Sequence, residues 1–211
     1  MKNIILYGAP AAGKGTQCEL LVSKYNYNHI STGDLFRNLD DSTDVGKSIK
    51  ETIAKGNLVD DETTNKLVKS KLDTLNGLIV LDGFPRNLKQ AKMLDEYFND
   101  YVVVNLDIDY EEAMKRALGR FNCPKCGKGY NKFNPDMLPK NSNLCDNCNV
   151  ELMSRDDDNE ESFKKRFEIY TNNLEDVLDY YRNKNLLYIV KSVNPEETFK
   201  NLEGVINNGN Y

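Results

Sequence analysis

Gly8-Ala9-Pro10-Ala11-Ala12-Gly13-Lys14-Gly15-Thr16-Gln17 follows the apolar run Ile4-Ile5-Leu6-Tyr7 and precedes a helical pattern at Leu20, Leu21 and Val22. The stretch reads as strand, phosphate-binding loop and helix. Glycines free the backbone of Cβ crowding, so successive N–H groups can point into one concavity above a helix N-terminus, where an anion is favoured. Lys14 adds a mobile positive charge able to follow a terminal phosphate, which makes a nucleoside triphosphate the expected occupant. The general pattern places Ser or Thr directly after the lysine; here Gly15 intervenes and the hydroxyl comes at Thr16. The competing reading is a plain glycine-bearing turn, and the strand before and helix after weigh against it.

With 211 residues the chain is long enough for one sizeable core and one or two small insertions. Its 39% hydrophobic and 29% charged residues are those of an ordinary globular protein. No apolar run approaches the roughly 20 residues of a membrane span, and Met1-Lys2-Asn3 leads straight into a strand without a signal-peptide pattern, so a cytoplasmic protein that engages no membrane is expected. A net charge of −5 argues against a general nucleic-acid binder. Affinity for phosphate is then local. The 28 basic residues include only seven arginines, at 37, 86, 116, 120, 155, 166 and 182, so lysine is the default cation. Arginine then marks places that need a planar, bidentate fork for phosphate or carboxylate, with a scattered surface role the alternative for Arg182.

In chain order, strands are expected over residues 3–7, 26–30, 78–81, 101–106 and 186–190. Helical patterns run from the phosphate loop to about Lys24, from Ser31-Thr32-Gly33-Asp34, from Asp44 to Lys55, over 62–73 behind a cap at Asp60 or Asp61, over 162–182, and from Glu196 to Ile206. Strands alternating with helices give a doubly wound parallel α/β sheet of five strands with right-handed crossovers. The third strand is a continuous apolar run suited to burial on both faces, and it ends at Asp82-Gly83-Phe84-Pro85-Arg86. Ligands of open parallel sheets bind beyond the strand carboxyl ends, which places Asp82 to approach a magnesium ion or its waters; a bare helix cap is the other reading. Gln90 is expected one helical turn beyond Arg86, and Arg116 and Arg120 on one helix face. Asp156-Asp157-Asp158 reads as a helix start that orients neighbouring arginines, or as a solvated acidic turn. The only histidine, His29, leaves almost no room for histidine-based metal or acid–base chemistry, and packing or hydrogen bonding is its expected role. The tail from Asn207 to Tyr211 is expected to fray.

A second signal interrupts the sheet pattern. Cys123-Pro124-Lys125-Cys126 and Cys145-Asp146-Asn147-Cys148 are two C-x-x-C pairs whose spacing suits tetrahedral Cys₄ zinc. Four protein ligands leave no open position, so the metal is expected to be structural, clamping a lobe of roughly 40 residues too small for its own core. Cys18, on the helix after the phosphate loop, reads as a small buried apolar residue.

Taken together, Gly13-Lys14-Gly15-Thr16-Gln17, Ser31-Thr32-Gly33-Asp34, Asp82-Gly83-Phe84-Pro85-Arg86, Gly119-Arg120 and Arg155-Asp156-Asp157-Asp158 with Arg166 resemble an adenylate kinase of the long-lid type with a zinc-bearing lid. The resemblance spans nearly the whole chain, and Gly15 is the family's own form of the loop. It implies reversible phosphoryl transfer from MgATP to AMP, giving two ADP. It implies a core of residues 1–30, 61–120 and 159–211, a monophosphate-binding lobe of 31–60 and a lid of 121–158. Lys14, Arg86, Arg120, Arg155 and Arg166 correspond to catalytic cations. Ala11, Ala12, Gly13, Lys14, Gly15, Thr16, Arg120, Gly129, Tyr130 and Asn194 correspond to ATP contacts, Asn194 largely through its backbone. Thr32, Arg37, Asn57, Leu58, Val59, Gly83, Phe84, Pro85, Arg86, Gln90, Arg155 and Arg166 correspond to AMP contacts. Ala11 stands where many members have glycine, and Phe121 replaces a basic residue that often follows the lid arginine. A monomer using magnesium and a structural zinc is expected.

Two rivals stand against this reading. A zinc-ribbon nucleotide switch predicts a basic lobe, whereas residues 121–161 hold more acids than bases. A GTP–AMP, UMP or CMP kinase of the same fold is the nearer rival; Thr32 and Gln90 favour adenine at the acceptor site.

Overall fold

The computed structural model describes residues 1–40 and 42–208; the end of the tail expected to fray, 209–211, lies outside the described residues. The elements in order are β1 (Asn3–Gly8), α1 (Lys14–Tyr25), β2 (Asn28–Ser31), α2 (Thr32–Arg37), α3 (Asp44–Ala54), α4 (Asp61–Leu72), β3 (Ile79–Asp82), α5 (Leu88–Leu94), β4 (Tyr101–Asp107) and α6 (Tyr110–Leu118). A small two-stranded insertion follows with β5 (Arg120–Asn122) and β6 (Gly129–Asn131), and α7 (Glu160–Asn183), β7 (Leu187–Lys191) and α8 (Pro195–Asn208) return to the sheet.

Five parallel strands form one sheet in the order β2-β3-β1-β4-β7. The five expected strands are these five, each within one or two residues. Side chains alternate across a strand, so β1 divides its residues between two cores. Ile4 and Leu6 pack with Val102 and Val104 under Leu21 of α1 and Leu202 and Val205 of α8. Ile5 and Tyr7 face the other way, with Leu81 and Val103, onto Leu94 of α5 and Val177, Leu178 and Tyr181 of α7. A sheet buried on both faces needs the continuous apolar runs that the sequence shows. Its carboxyl-end edge is left as the platform for the loops that carry charge.

Two helix starts follow the expected caps, with the side chains of Ser31 and Asp60 accepting from the N–H groups of Asp34 and Thr63, and Thr43 caps α3 in the same way by accepting from Gly46 N–H. Three local expectations fail. Arg116 and Arg120 do not share a helix, because α6 ends at Gly119 and Arg120 opens β5. Gly119 admits that turn because a Cβ there would lie 2.5 Å from Asn131 Oδ1 and 2.6 Å from Phe133. The acidic triplet 156–158 does not begin α7; Asn159 is its cap, accepting from Ser162 N–H, which frees Asp157 and Asp158 to face the arginines. Arg86 precedes α5 rather than sharing it with Gln90, yet the two meet, since Gln90 Oε1 accepts from Arg86 N–H at 2.8 Å.

Candidate functional site

The loop between β1 and α1 turns through Gly8, Ala11 and Gly13, with φ of 141°, 60° and 89°. Gly8 also has no room for a side chain, since a Cβ would sit 2.7 Å from the Leu106 carbonyl oxygen. Ala11 takes the left-handed conformation, in which a side chain is disfavoured and glycine is the residue of least strain. Gly13 precedes α1 with no side-chain cap, which leaves the first N–H groups of that helix available to an anion. Lys14 Nζ folds back and donates to the carbonyls of Gly8 and Ala9 at 2.9 and 2.8 Å. Burial lowers its pKa to about 8; Arg86, Arg166 and Arg120 push the same way and Asp82 opposes them.

The loop opens into a cleft of about 1030 Å³ lined by Lys14, Arg37, Arg86, Arg116, Arg120, Arg155 and Arg166. Six of the seven arginines of the chain thus meet one space. Their electrostatics show strain. Burial brings Arg86 down to about 10, helped by nearby Arg166, and Arg155 down to about 10, helped by Arg120 and Arg37. Arg166 is lowered too, mainly by burial. Arg120 is raised instead, because its ion pair with Asp158 outweighs burial. Carboxylates occupy part of the space: Arg120 grips Asp158 with two hydrogen bonds, and Arg166 donates to Asp157 at 2.5 Å. Desolvation works to raise the Asp157 pKa, but Arg166, Arg120, Arg37 and Arg155 together hold it below the usual carboxylate value. Cations outnumber these acids. A polyanion entering here would relieve repulsion that the protein alone leaves standing.

A smaller cavity beside the cleft is lined by Thr32, Gly33, Arg37, Asn57, Leu58, Val59, Gly83, Arg86, Gln90 and Arg166, among others. Thr32 Oγ1 donates to the Gly83 carbonyl at 2.8 Å, and a Cβ on Gly83, where φ is 82°, would lie 2.5 Å from that hydroxyl oxygen. Gly33 similarly makes room for Arg37, whose guanidinium donates to Asp34 at 2.7 Å. Gln90 is 1% exposed, fixed between the Arg86 N–H and the Asp61 carboxylate, to which its amide donates at 2.8 Å.

The comparisons with known proteins converge. The family model described as adenylate kinase matches residues 6–186. A protein of Thermoanaerobacter sp. (strain X514) described as adenylate kinase is 42% identical over 213 residues, covering 95% of this chain and 96% of its own. One of Clostridium tetani (strain Massachusetts / E88) is 40% identical over 215 residues, covering 97% and 98%, and one of Listeria monocytogenes serotype 4b (strain F2365) is 41% identical over 210 residues, covering 95% and 94%. Both carry the same description. The chain belongs to the adenylate kinase family.

In this member of the adenylate kinase family, every expected ATP contact, Ala11 to Thr16, Arg120, Gly129, Tyr130 and Asn194, borders the large cleft. The Tyr130 side chain is 2% exposed, with its hydroxyl donating to Cys145 Sγ at 3.5 Å. Of the expected AMP contacts, Phe84 lies apart, buried in the core with Ile5 and Leu81, and Pro85 and Arg155 border the large cleft but not the smaller cavity. Several positioning contacts have no sequence signal of their own. Asn122 accepts from Arg155 Nε at 3.0 Å; Arg116 donates to Ser192 Oγ at 2.8 Å; and Ser192 donates to the Ala12 carbonyl at 2.9 Å, tying the loop after β7 to the phosphate loop. All three join residues far apart in sequence.

The thiols of Cys123, Cys126, Cys145 and Cys148 lie within 4.8 Å of one another, with Cys126 and Cys145 sulfurs 3.7 Å apart. Zinc–sulfur bonds of about 2.3 Å in a tetrahedron put sulfurs about 3.8 Å apart, so the donor set fits zinc. The N–H groups of Lys125 and Cys126 point at Cys123 Sγ at 3.4 Å, the arrangement that stabilises a metal-bound thiolate. For magnesium, the Asp82 carboxylate lies directly under the loop, 4.0 Å from where a Gly15 Cβ would be. Oxygen donors at Asp82 and Thr16 suit a hard cation brought with the nucleotide.

Proposed function

We propose that the two cavities hold ATP and AMP head to head and that the arginine cluster carries the transferring phosphoryl group between them, in the adenylate kinase reaction that yields two ADP. The observation that carries this reading is the convergence of Lys14 and five mutually repelling arginines, 37, 86, 120, 155 and 166, on the space between the loop and the smaller cavity.

An AMP phosphate oxygen attacks the γ-phosphorus of ATP as the bond from that phosphorus to the β,γ-bridging oxygen breaks. The attacking phosphate is already anionic at neutral pH, so no general base is needed. Catalysis is then positioning and charge stabilisation. Lys14 and the N–H groups of Gly13 to Thr16 hold the β- and γ-oxygens; Arg120, Arg155 and Arg166 surround the equatorial oxygens; Arg37 and Arg86 hold the acceptor phosphate. Asp157 and Asp158 keep Arg166 and Arg120 extended until phosphate replaces them. Magnesium bound with the nucleotide supplies further neutralisation, held by Asp82, Thr16 or their waters. Thr32 and Gln90 read the adenine of AMP, with Asn57 to Val59 and Gly83 to Pro85 as the walls. The four lid thiolates hold one structural zinc, and lid and monophosphate lobe close to exclude water.

The bisubstrate mimic diadenosine pentaphosphate tests the two-site arrangement. It is expected to inhibit strongly and to compete with both ATP and AMP, since one molecule spans both cavities. Competition with only one substrate contradicts the reading.

A further inference from the structure

Cys18 of α1, His29 of β2 and Asp82 at the end of β3 meet beneath the phosphate loop, each with a donor atom within 4.8 Å of the others. β2 and β3 run parallel with Ser31 opposite Asp82 and His29 opposite Val80. His29 and Asp82 therefore share a sheet face, the one on which Val80 packs with Cys18. Cys18 is 0% exposed, while His29 and Asp82 border the nucleotide cleft, which gives an ion a way in. Among the described residues, His29 Nε2 is buried without a hydrogen-bond partner. A buried polar atom left unpaired is unfavourable and calls for an occupant. The hydrogen-bonding role expected of this histidine is thus unmet at that nitrogen.

The donor set says what the occupant is. Thiolate sulfur, imidazole nitrogen and carboxylate oxygen are each zinc donors, three of them leave a fourth position open, and the sulfur and nitrogen select a soft or borderline divalent cation over magnesium. Thiolate and carboxylate carry two negative charges against the two positive charges of the ion. Side-chain movements of about 1 Å bring donors at this spacing to zinc-bonding distances.

We propose that Cys18, His29 and Asp82 form a second metal site, distinct from the lid cysteines, which takes zinc and in doing so withdraws Asp82 from the magnesium nucleotide. Binding releases the thiol proton of Cys18 to solvent. Lys14 and Arg86 both sense the charge of Asp82 and work against the ion. The site accordingly fills only at free zinc concentrations above those that load the lid. Zinc then acts as an inhibitor competitive with MgATP.

The test starts from wild-type protein with its lid loaded with zinc and no nucleotide, dialysed against rising free zinc. Wild type is expected to bind one zinc per chain more than Cys18→Ala or His29→Gln, and saturating MgATP to displace that ion. The two variants lie on different elements, and thermal melting checks each fold. In assays without added zinc both variants turn over like wild type. Zinc at the concentration that fills the site slows wild type at least tenfold and leaves the variants unaffected. Equal stoichiometry in wild type and both variants overturns the site. A second zinc that binds without slowing turnover overturns the competition with nucleotide. Only this last arm rests on the kinase reading; failure of that reading shows as no turnover in zinc-free wild type and leaves the dialysis result standing.

Discussion

The nucleotide cleft gathers Lys14, Arg37, Arg86, Arg120, Arg155 and Arg166 on a sheet with two apolar clusters of fifteen buried residues each among the described residues, whereas the insertion between α6 and α7 gathers four thiols around a described cluster of four, two of them cysteines. The sheet has apolar burial to spare, at about 1.5–3 kcal/mol per large side chain, and can hold cations at mutually unfavourable distances. The four-thiol insertion has no such reserve, and a metal on its thiols would supply what packing does not. Charge strain is thus placed where packing is strong, and a metal-ligand set where packing is weak.

The largest expected effect breaks the first half of this contrast. Lys14→Met and Arg86→Ala each remove a cation facing phosphate and are expected to lower kcat at least about a hundredfold with the fold retained. Lys14 adds a sign that a merely structural lysine would not show. Its folded pKa of about 8 lies below the ordinary value of 10.5, so its charge destabilises the folded chain in full below pH 8, and the penalty fades as pH rises between the two values. Lys14→Met without ligand should therefore melt higher than wild type at neutral pH. A lower melting point there contradicts the electrostatic account.

Next in size is the lid. Cys145→Ser should lose its zinc and melt earlier than wild type, yet stay active at low temperature. None of the cleft arginines is among the thiols: Arg120 and Arg155 flank the four-thiol insertion, Arg166 is on α7, and Arg37 and Arg86 are on α2 and in the loop after β3, so KM for ATP should rise more than kcat falls. A stable metal-free variant removes the structural site, and a folded variant inactive at every temperature makes the zinc catalytic.

Smaller still is a proton. ATP bound beside Lys14 raises its pKa, so binding at about pH 8.5 should take up a fraction of a proton, and uptake should vanish in Lys14→Met. Calorimetry in buffers of different ionisation enthalpy measures it. Equal uptake in both proteins assigns the proton elsewhere.

These contrasts were legible in the sequence to different depths. The five strands, the phosphate loop and the paired C-x-x-C motifs are local patterns, and each stands where its pattern put it. Features that depend on what the chain meets later were not. Arg120 falls at helical spacing from Arg116, but Gly119 and the return of Asn131 turn it into a strand. Phe84 sits within a phosphate motif, yet its side chain belongs to the core. His29 looked isolated because its neighbours, Cys18 and Asp82, come from other elements. Asp157 and Asp158 kept their ion-pairing role but not their helix, since Asn159 is a cap of equal quality one residue on.

The smallest effect concerns the loop's backbone. Ala11 is left-handed with φ of 60°, so Ala11→Gly relieves about 1 kcal/mol of strain and returns a similar amount through the freer unfolded chain, leaving stability within about 0.5 kcal/mol of wild type. Gly13→Ala, at φ of 89° and so farther from the left-handed well, adds strain that outweighs what alanine removes from the freedom of the unfolded chain, and should destabilise by about 1 kcal/mol. Urea denaturation separates the two; equal losses would contradict the assigned loop conformation.

The central claim, that these cations join one adenine nucleotide donor to one AMP acceptor, is tested most directly by a coupled assay of ADP formation that scans ATP and GTP against AMP, UMP, CMP and GMP. The account predicts that ATP with AMP gives the highest kcat/KM, and that changing the acceptor base costs far more than changing the donor. Faster turnover with UMP, CMP or GMP than with AMP, or none with any pair, contradicts it.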